Sequence, residues 1–285
     1  MDAELSFVYD GQRVTFRSVG HRDHILNNMR RRSSFYEADV LERIRDRIRV
    51  RGSGAALDVG AFIGTHSVYF AKFCGLRPVL AFEANPTSHA ILEHNVAANG
   101  CAGTIVPIQR ALGSAPGEAT VLVINEDNQG STRLSIDNDH RADSVVVSTI
   151  DAEVCATKET LPRIALMKID VEGAELAVLA GATETIKANR PVLCIEVHTP
   201  RNLLTVMGRL RSSRYWIVDC LGYSPTYIWE TTDASWLRRS VVQSLWLLRA
   251  AFLGRQSTVA SRASWYMRRL AQRLSAGRWD PVTRG

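Results

Sequence analysis

The sequence predicts an α/β protein whose core is a parallel, doubly wound sheet. Apolar runs with the length of buried strands cover 55–59, 79–83, 104–109, 164–170 and 192–197. Stretches of helical length follow these runs, at 65–74, 86–99, 174–188 and 201–211. A crossover between parallel strands needs a connection long enough to contain a helix, so this alternation indicates βαβ units. Strands at 215–219 and 226–229 are expected to complete the sheet.

A glycine turn joins the first core strand to the first core helix. Gly60 and Gly64 flank this turn, and Thr65 begins the helix. Glycine lacks Cβ, so the backbone can bend there and come close to a ligand. The helix directs its free N–H groups and the positive end of its dipole at the turn. Asp58 stands at the carboxyl end of the strand, where open α/β sheets bind ligands. An ordinary strand–helix turn is the alternative interpretation.

The spacing of the two glycines bears on which ligand the turn holds. A dinucleotide site needs G-x-G-x-x-G, with the pyrophosphate on the helix N-terminus. Here three residues separate Gly60 from Gly64, and Asp58 precedes them. A carboxylate at this place would repel a pyrophosphate, but it suits the ammonium group of an amino-acid moiety. S-adenosylmethionine (SAM) carries such a group and no phosphate, so the turn favours SAM over NAD.

The end of the second strand carries another acid. Glu83 follows the apolar run 79–82 and lies roughly twenty residues beyond the glycine turn, where nucleotide-binding folds place the acid that binds ribose hydroxyls. Because NAD and SAM both contain ribose, Glu83 predicts a nucleoside without choosing between them; a solvated side chain is the alternative. We also assign Asn85 to the cofactor site. The adenine ring is expected at Ala111-Leu112, directly after the third strand.

Carboxylates gather at the ends of the fourth and fifth strands. Asp170, Glu172 and Glu175 lie within one short stretch, where mutual repulsion is costly unless a cation, a metal or a proton-transfer role offsets it. Glu175 can instead complement the dipole of the helix that begins there. By the alternation of strand side chains, Glu196 and His198 point to one side. The predicted proton-handling set therefore consists of Asp170, Glu172, Glu196 and His198. A structural role for His198 is the alternative to proton transfer. We predict no metal site.

Residues 1–50 are predicted to form an N-terminal hairpin and a helical cap. Asp10-Gly11 is a strong turn signal between two alternating runs. Apolar residues in the following stretch recur at helical spacing. Arg30–Arg32 indicates either a solvated helix face or an anion site. Tyr36-Glu37 stands shortly before the core, so this segment can fold back over the ligand as a lid.

Residues 233–285 differ in character from the predicted catalytic domain at 51–232. An apolar helix is predicted over 240–253, and an arginine-rich amphipathic segment follows over 257–274. This C-terminal segment accounts for the whole net charge of +6. Basic amphipathic helices with tryptophan bind anionic lipid, so peripheral membrane contact is one interpretation. Packing on the core and formation of a homodimer are the others.

Cysteine usage and the termini favour a cytoplasmic protein. The 5 cysteines are scattered without a C-x-x-C pair, which indicates buried free thiols in a reducing compartment. The N-terminus lacks the apolar region of a signal peptide, and no run approaches the roughly 18 apolar residues of a membrane span. The basic charge does not by itself indicate nucleic acid as a partner.

A long polar stretch at 125–143 is either a functional loop or a surface excursion.

Several short motifs stand together in this sequence. They are Leu57-Asp58-Val59-Gly60-Ala61-x-Ile63-Gly64, Phe82-Glu83-x-Asn85-Pro86, Lys168-Ile169-Asp170-Val171-Glu172-Gly173-x-Glu175 and Ile195-Glu196-Val197-His198. In order and spacing they resemble the FkbM-type methyltransferases, over about residues 30–200. Tyr36-Glu37 and the loop Asn128–Ser131 are also similar to the family pattern. The segment after about residue 230 lies outside the resemblance.

The resemblance implies a SAM-dependent enzyme with the class I methyltransferase fold, a Rossmann-like seven-stranded sheet. The family typically methylates hydroxyl oxygens, so a sugar, a glycolipid or another small natural product is the expected substrate. Phe62 and Ala84 depart from the family pattern, which commonly has Asn and Pro there. One rival interpretation is a nucleotide-dependent oxidoreductase, which the glycine spacing disfavours. The other is a membrane-associated binding protein that keeps the fold without catalysis.

Overall fold

The computed structural model describes residues 4–18, 23–123, 132–135, 144–157, 161–222, 224–233, 236–252, 267–272 and 274. The strands are β1 (Glu4–Tyr9), β2 (Gln12–Arg17), β3 (Ala55–Val59), β4 (Val79–Phe82), β5 (Ile105–Ile108), β6 (Ala111–Leu112), β7 (Gly117–Val123), β8 (Thr132–Ser135), β9 (Ser144–Ser148), β10 (Ile164–Ile169), β11 (Val192–Glu196), β12 (Tyr215–Leu221) and β13 (Thr226–Thr231). The helices are α1 (His24–Arg32), α2 (Ala38–Arg51), α3 (Thr65–Phe73), α4 (Pro86–Ala98), α5 (Ile150–Ala156), α6 (Glu175–Ala180), α7 (Thr183–Asn189), α8 (Pro200–Leu210) and α9 (Trp236–Phe252). The loop Asn128–Ser131 and residues 257–266 of the predicted C-terminal segment lie outside the described residues.

The chain divides into two compact units, Met1–Pro191 and Val192–Gly285. In the first unit, β10 pairs with β3, β3 with β4 and β4 with β5, and all three pairs are parallel. In the second unit, β13 pairs antiparallel with both β11 and β12. Among the described residues, the strand order is β10-β3-β4-β5 in the first unit and β12-β13-β11 in the second. The predicted α/β fold with a doubly wound, mostly parallel sheet is confirmed, and the division into three domains stays a prediction.

The predicted N-terminal hairpin is present as β1 and β2. Asp10 and Gly11 have φ values of 48° and 76°, the two positive values that a type I′ turn requires. Asn95 of α4 holds the hairpin, because its side-chain oxygen accepts a hydrogen bond from the Arg17 N–H at 2.7 Å. The Asn95 amide also donates to the Ile63 carbonyl at 2.8 Å. One buried amide therefore joins the hairpin to the glycine turn.

The helix predicted over 174–188 is instead two helices, α6 and α7, with Gly181 between them. A Cβ on Gly181 would lie 2.2 Å from a backbone oxygen. The Gly181 carbonyl accepts from the Asp151 N–H at 2.8 Å. The Asp151 carboxylate accepts from the Thr185 N–H at 2.8 Å and so caps α7. The contacts of Asp151, which lies far away in the chain, separate the two helices. The periodicity of residues 174–188 carries no signal of these contacts.

A second sheet contains the strands predicted around 120–124 and 145–149. Its order is β6-β9-β7-β8 among the described residues. β7 pairs antiparallel with β8 and with β9, whereas β9 pairs parallel with β6. β8 falls inside the polar stretch 125–143 that the sequence predicts as a loop, so that prediction is wrong for 132–135. An edge strand needs no apolar alternation to form its ladder, which explains why the sequence pattern missed it.

The apolar helix predicted over 240–253 is present as α9, and it packs against β12 of its own unit. Its buried face consists of Val242, Trp246 and Ala250. The Trp246 indole N–H donates to the Ile217 carbonyl at 3.1 Å, and Arg268 pairs with the buried carboxylate of Asp219 at 3.1 Å. For the described part of the C-terminal segment, packing is therefore the correct alternative, and these residues give no support to membrane contact or a dimer. Over the described ranges, every helix is too short or too polar to cross a membrane.

Candidate functional site

The predicted glycine turn lies between β3 and α3, at the carboxyl ends of the parallel strands of the first unit. Gly60 and Gly64 have φ values of 78° and 84°. A Cβ on Gly60 would lie 1.8 Å from the carbonyl oxygen of Asp170, and one on Gly64 would lie 2.4 Å from the Leu92 side chain. Both glycines thus make room for neighbouring parts of the protein, whereas the sequence indicated room for a ligand.

The first turn of α3 supplies polar groups beside these glycines. Gly64 occupies the N-cap position of α3 and has no side chain to cap the first N–H groups. Thr65, the first helical residue, is buried. Uncapped N–H groups with the positive helix dipole behind them suit an anionic group such as a carboxylate.

Lys168 links the acid of the first strand to the acid of the fourth. Its Nζ lies 3.5 Å from Asp58 Oδ1 and 3.3 Å from Asp170 Oδ2, and it donates to the Gly60 carbonyl at 3.2 Å. Asp58 is fully buried, and its Oδ2 accepts from the Ser67 hydroxyl at 2.6 Å. The ammonium group that meets Asp58 in this structure therefore belongs to the protein. Of the predicted cluster of Asp170, Glu172 and Glu175, this lysine offsets the charge of Asp170.

Glu83 is buried at the end of β4, with both carboxylate oxygens held by backbone donors. Oε2 accepts from the Phe62 N–H and Oε1 from the Asn85 N–H, each at 2.8 Å. Burial raises the pKa of Glu83, and the two hydrogen bonds, together with Lys168, oppose that rise. The alternative of a solvated Glu83 is excluded by this burial.

Phe62 stands at the top of the turn with φ 49°, in the left-handed region. Asparagine tolerates this region far better than most residues with a side chain. This preference is the physical reason why Asn suits the position in the resembling family. Phe62 keeps the backbone conformation and still presents its N–H to Glu83.

Glu37 belongs to the segment that the sequence predicts as a lid, and it approaches the first turn of α3. Its Oε2 is 4.0 Å from His66 Nε2. His66 is buried, and its Nε2 has no hydrogen-bond partner among the described residues. Burial and Lys168 lower the pKa of His66 to about 4, so the imidazole is neutral near neutral pH. Burial and the charge of Asp170 raise the pKa of Glu37 to about 7.

The other predicted site residues have less specific surroundings. Asn85 caps α4 by accepting from the N–H groups of Thr87 and Ser88. Ala111 and Leu112 are buried in β6. Glu172 is half-buried at φ 50°.

Two further strand-end acids lie near their own partners. Glu175 accepts from the Gly173 N–H at 2.8 Å, which closes the start of α6. In the second unit, Glu196 Oε2 is 3.7 Å from His198 Nε2. Across the described ranges, no group of His, Cys, Asp and Glu side chains is arranged to hold a metal ion.

The sequence reasoning assigned no role to Lys168, Ser67 or His66. Lys168 carried a usable signal, since it is the single charge within the apolar run 164–169 and a buried lysine needs an acidic partner. Ser67 and His66 follow the glycine turn inside a helix, where nothing in the local pattern separates them from ordinary helical residues. Their contacts with Asp58 and Glu37 depend on the packing of three segments.

Comparison with known proteins identifies what these residues are similar to. The sequence profile of the methyltransferase FkbM domain matches residues 58–213, more than half of the 285-residue chain. The hexuronic acid methyltransferase AglP of Haloferax volcanii is 28% identical over 160 residues, which is 55% of this chain and 62% of that protein. The methyltransferase sdnD of Sordaria araneosa is 28% identical over 159 residues, with coverage of 45% of this chain and 60% of its own length. The chain thus spans less than two thirds of these relatives.

A solved structure gives a similar match. The FkbM methyltransferase of Methylobacillus flagellatus has 19% sequence identity and a TM-score of 0.47, over 63% of this chain and 44% of that one.

Proposed function

Because the chain belongs to the FkbM methyltransferase family, we propose that it transfers a methyl group from SAM to a hydroxyl oxygen of a sugar, a glycolipid or another natural product. The observation that carries the cofactor assignment is the geometry of Glu83. A carboxylate offers about four acceptor positions, and the two backbone donors leave acceptor capacity for the hydroxyls of a ribose. The matched relative AglP is a hexuronic acid methyltransferase, which supports a sugar acceptor.

The residues of the first unit fit the parts of SAM. The uncapped N–H groups of α3 suit the carboxylate of the methionine moiety. Asp58 stays assigned to the ammonium group, which would have to take the place of the Lys168 ammonium that now lies 3.5 Å from Asp58 Oδ1. The adenine stays assigned to the region of Ala111 and Leu112, which are themselves buried. SAM would supply a methyl group bound to a sulfonium sulfur. An oxygen nucleophile can attack that methyl carbon directly, with the sulfur as the leaving group.

Positioning and proton removal are then the tasks of the protein. The acceptor oxygen has to lie in line with the bond that breaks, and holding it there supplies a large part of the rate enhancement. A sugar hydroxyl is a weak nucleophile, so a base has to take its proton. The predicted set for this work stays Asp170, with Glu172, Glu196 and His198. The side chain of Asp170 is 32% exposed while its Oδ2 pairs with Lys168, which supports a place for Asp170 beside the substrate.

Glu83→Ala is expected to weaken SAM binding by about 10- to 100-fold, because charged hydrogen bonds to two hydroxyls contribute about 1.5–3 kcal/mol. Isothermal calorimetry with SAM and with its demethylated product S-adenosylhomocysteine (SAH) measures this loss. Glu93→Ala is the matched control, since Glu93 is 60% exposed on α4. Unchanged affinity in Glu83→Ala would remove the ribose assignment. Binding of NAD instead of SAM would restore the oxidoreductase interpretation.

Asp170→Asn and His198→Ala are expected to lower turnover by about 10²-fold, the lower end of the effect of a general base. Their affinity for SAM should stay within about threefold of the wild type. Initial rates with labelled SAM and a panel of uronic acids, neutral sugars and glycolipids measure turnover. An equal loss of turnover and SAM affinity would contradict the role of either residue. SAM binding without transfer to any acceptor would favour the binding protein that lacks catalysis.

A further inference from the structure

We propose that Lys168 competes with the ammonium group of SAM for the carboxylate of Asp58. On binding of the cofactor, Lys168 leaves Asp58 and keeps its contacts with Asp170 and Gly60. This inference rests on the proposed function and assigns Lys168 a positioning role that acts through Asp58. It follows that Lys168 lowers the affinity of the protein for ligands that carry the ammonium group.

The place of Lys168 in the sheet carries the first part of the argument. In the parallel ladder of β10 and β3, Lys168 is the direct partner of Asp58. Asp170 follows Lys168 by two residues, and the alternation of side chains along a strand puts the two on one side. Asp58 is thus the neighbour of the lysine across the ladder, and Asp170 is its neighbour along the chain. The flexible four-carbon side chain of lysine can exchange one such contact while it keeps the other.

The contacts of the Lys168 ammonium carry the second part. Its Nζ lies 3.5 Å from Asp58 Oδ1, 3.3 Å from Asp170 Oδ2 and 3.2 Å from the Gly60 carbonyl oxygen. A close hydrogen bond between an ammonium and a carboxylate spans about 2.7–2.9 Å, so all three contacts are longer than that. The contact with Asp58 is the longest of the three. It is therefore the contact that Lys168 can exchange with the smallest loss.

The surroundings of Asp58 explain why the two ammonium groups exclude each other. The Asp58 side chain is fully buried, and its Oδ2 accepts a hydrogen bond from the Ser67 hydroxyl at 2.6 Å. Oδ1 is the oxygen nearest to Lys168, and it is the one left for the ammonium of a ligand. Two ammonium groups at one carboxylate oxygen repel each other. The ligand can therefore bind Oδ1 closely only when Lys168 moves away from it.

This exchange gives Lys168 a task in the reaction cycle. A buried carboxylate that loses its only cation is costly, and the departure of SAH would leave Asp58 in that state. The return of Lys168 restores the charge pair and so assists the release of the product. Because one ammonium replaces another, the charge at Asp58 is conserved. The amino group of the ligand should therefore add little to its affinity for the wild type.

Two ligands separate this competition from a purely structural role of Lys168. They are SAH and the SAH analogue in which hydrogen replaces the amino group, and calorimetry at pH 7.5 measures both dissociation constants. The wild type is expected to bind SAH less than about tenfold more tightly than the analogue. In Lys168→Met, this preference should rise at least about tenfold, because the ammonium then meets a carboxylate that Lys168 no longer neutralises. Lys187→Met, at an exposed position on α7, is the control and should keep the wild-type preference.

A double variant identifies the group for which the two ammoniums compete. Lys168→Met combined with Asp58→Asn removes both charges, so its preference for SAH should fall back to less than about tenfold. A preference that stays high in the double variant would show that Asp58 is not the shared partner, and would overturn the proposal.

The remaining outcomes distinguish the competition from the proposed function. An unchanged preference in Lys168→Met, or equal weakening of both ligands, would overturn the competition and leave SAM binding intact. If Lys168→Met does not fold, the wild type decides, since a preference for SAH above about tenfold contradicts the exchange of one ammonium for another. No binding of either ligand by the wild type would overturn the proposed function, and the competition with it.

Discussion

Gly60→Ala is expected to lower the free energy of unfolding by about 3–5 kcal/mol, or to prevent folding. The new Cβ would lie 1.8 Å from the Asp170 carbonyl oxygen, and that backbone belongs to the segment after β10, the parallel neighbour of β3. The left-handed φ of 78° adds about 1–2 kcal/mol for any residue with a side chain. Moving β3 away from β10 would break hydrogen bonds of their ladder. Because the collision is with a backbone oxygen, the rotation of a side chain cannot relieve it.

Gly75→Ala separates the two contributions to this loss. Gly75 also has a positive φ, of 67°, but a Cβ there meets nothing within 4 Å. Its substitution should cost only the conformational part, about 1 kcal/mol. Urea denaturation followed by circular dichroism measures both variants. Similar losses at the two positions would show that close approach to Asp170 is not what Gly60 provides.

Trp246→Ala is expected to lower the free energy of unfolding by about 3–5 kcal/mol. The indole is completely buried between α9 and β12, and its N–H donates to the Ile217 carbonyl at 3.1 Å. Truncation leaves a cavity and a carbonyl without that donor, and both effects act in the same direction. Removal of residues 233–285 should likewise unfold the second unit, because it exposes the face of β12 that α9 covers.

Leu248→Ala is the matched control on the same helix. Leu248 is 53% exposed, and its truncation should change stability by less than about 0.5 kcal/mol. Thermal unfolding monitored by far-UV circular dichroism, which reports on the backbone, measures the stability of both variants. A stable, folded protein after Trp246→Ala or after removal of 233–285 would contradict packing of this segment. If the truncated chain stays folded and no longer binds liposomes that the full chain binds, residues 233–285 are a membrane segment instead.

Local patterns predicted the core closely because the forces that form it are local or periodic. The run at 55–59 matches β3, and the helices at 86–99 and 201–211 end within one residue of α4 and α8. Long apolar runs and proline at a helix start are strong signals in one sequence window. Prediction failed where a distant contact decides the outcome, as when Asp151 of α5 separates α6 from α7. It also failed for β8, which forms by pairing with β7.

The sequence alone determined the family, the alternation of strands and helices in the core, and the acids that end the core strands. These follow from residue type and spacing, which are properties of the chain itself. Only the tertiary structure decided that Lys168 joins Asp58 to Asp170, that backbone N–H groups hold Glu83, and that Glu37 meets His66. Those contacts join segments far apart in the chain, and burial, which sets their electrostatics, exists only once the segments pack.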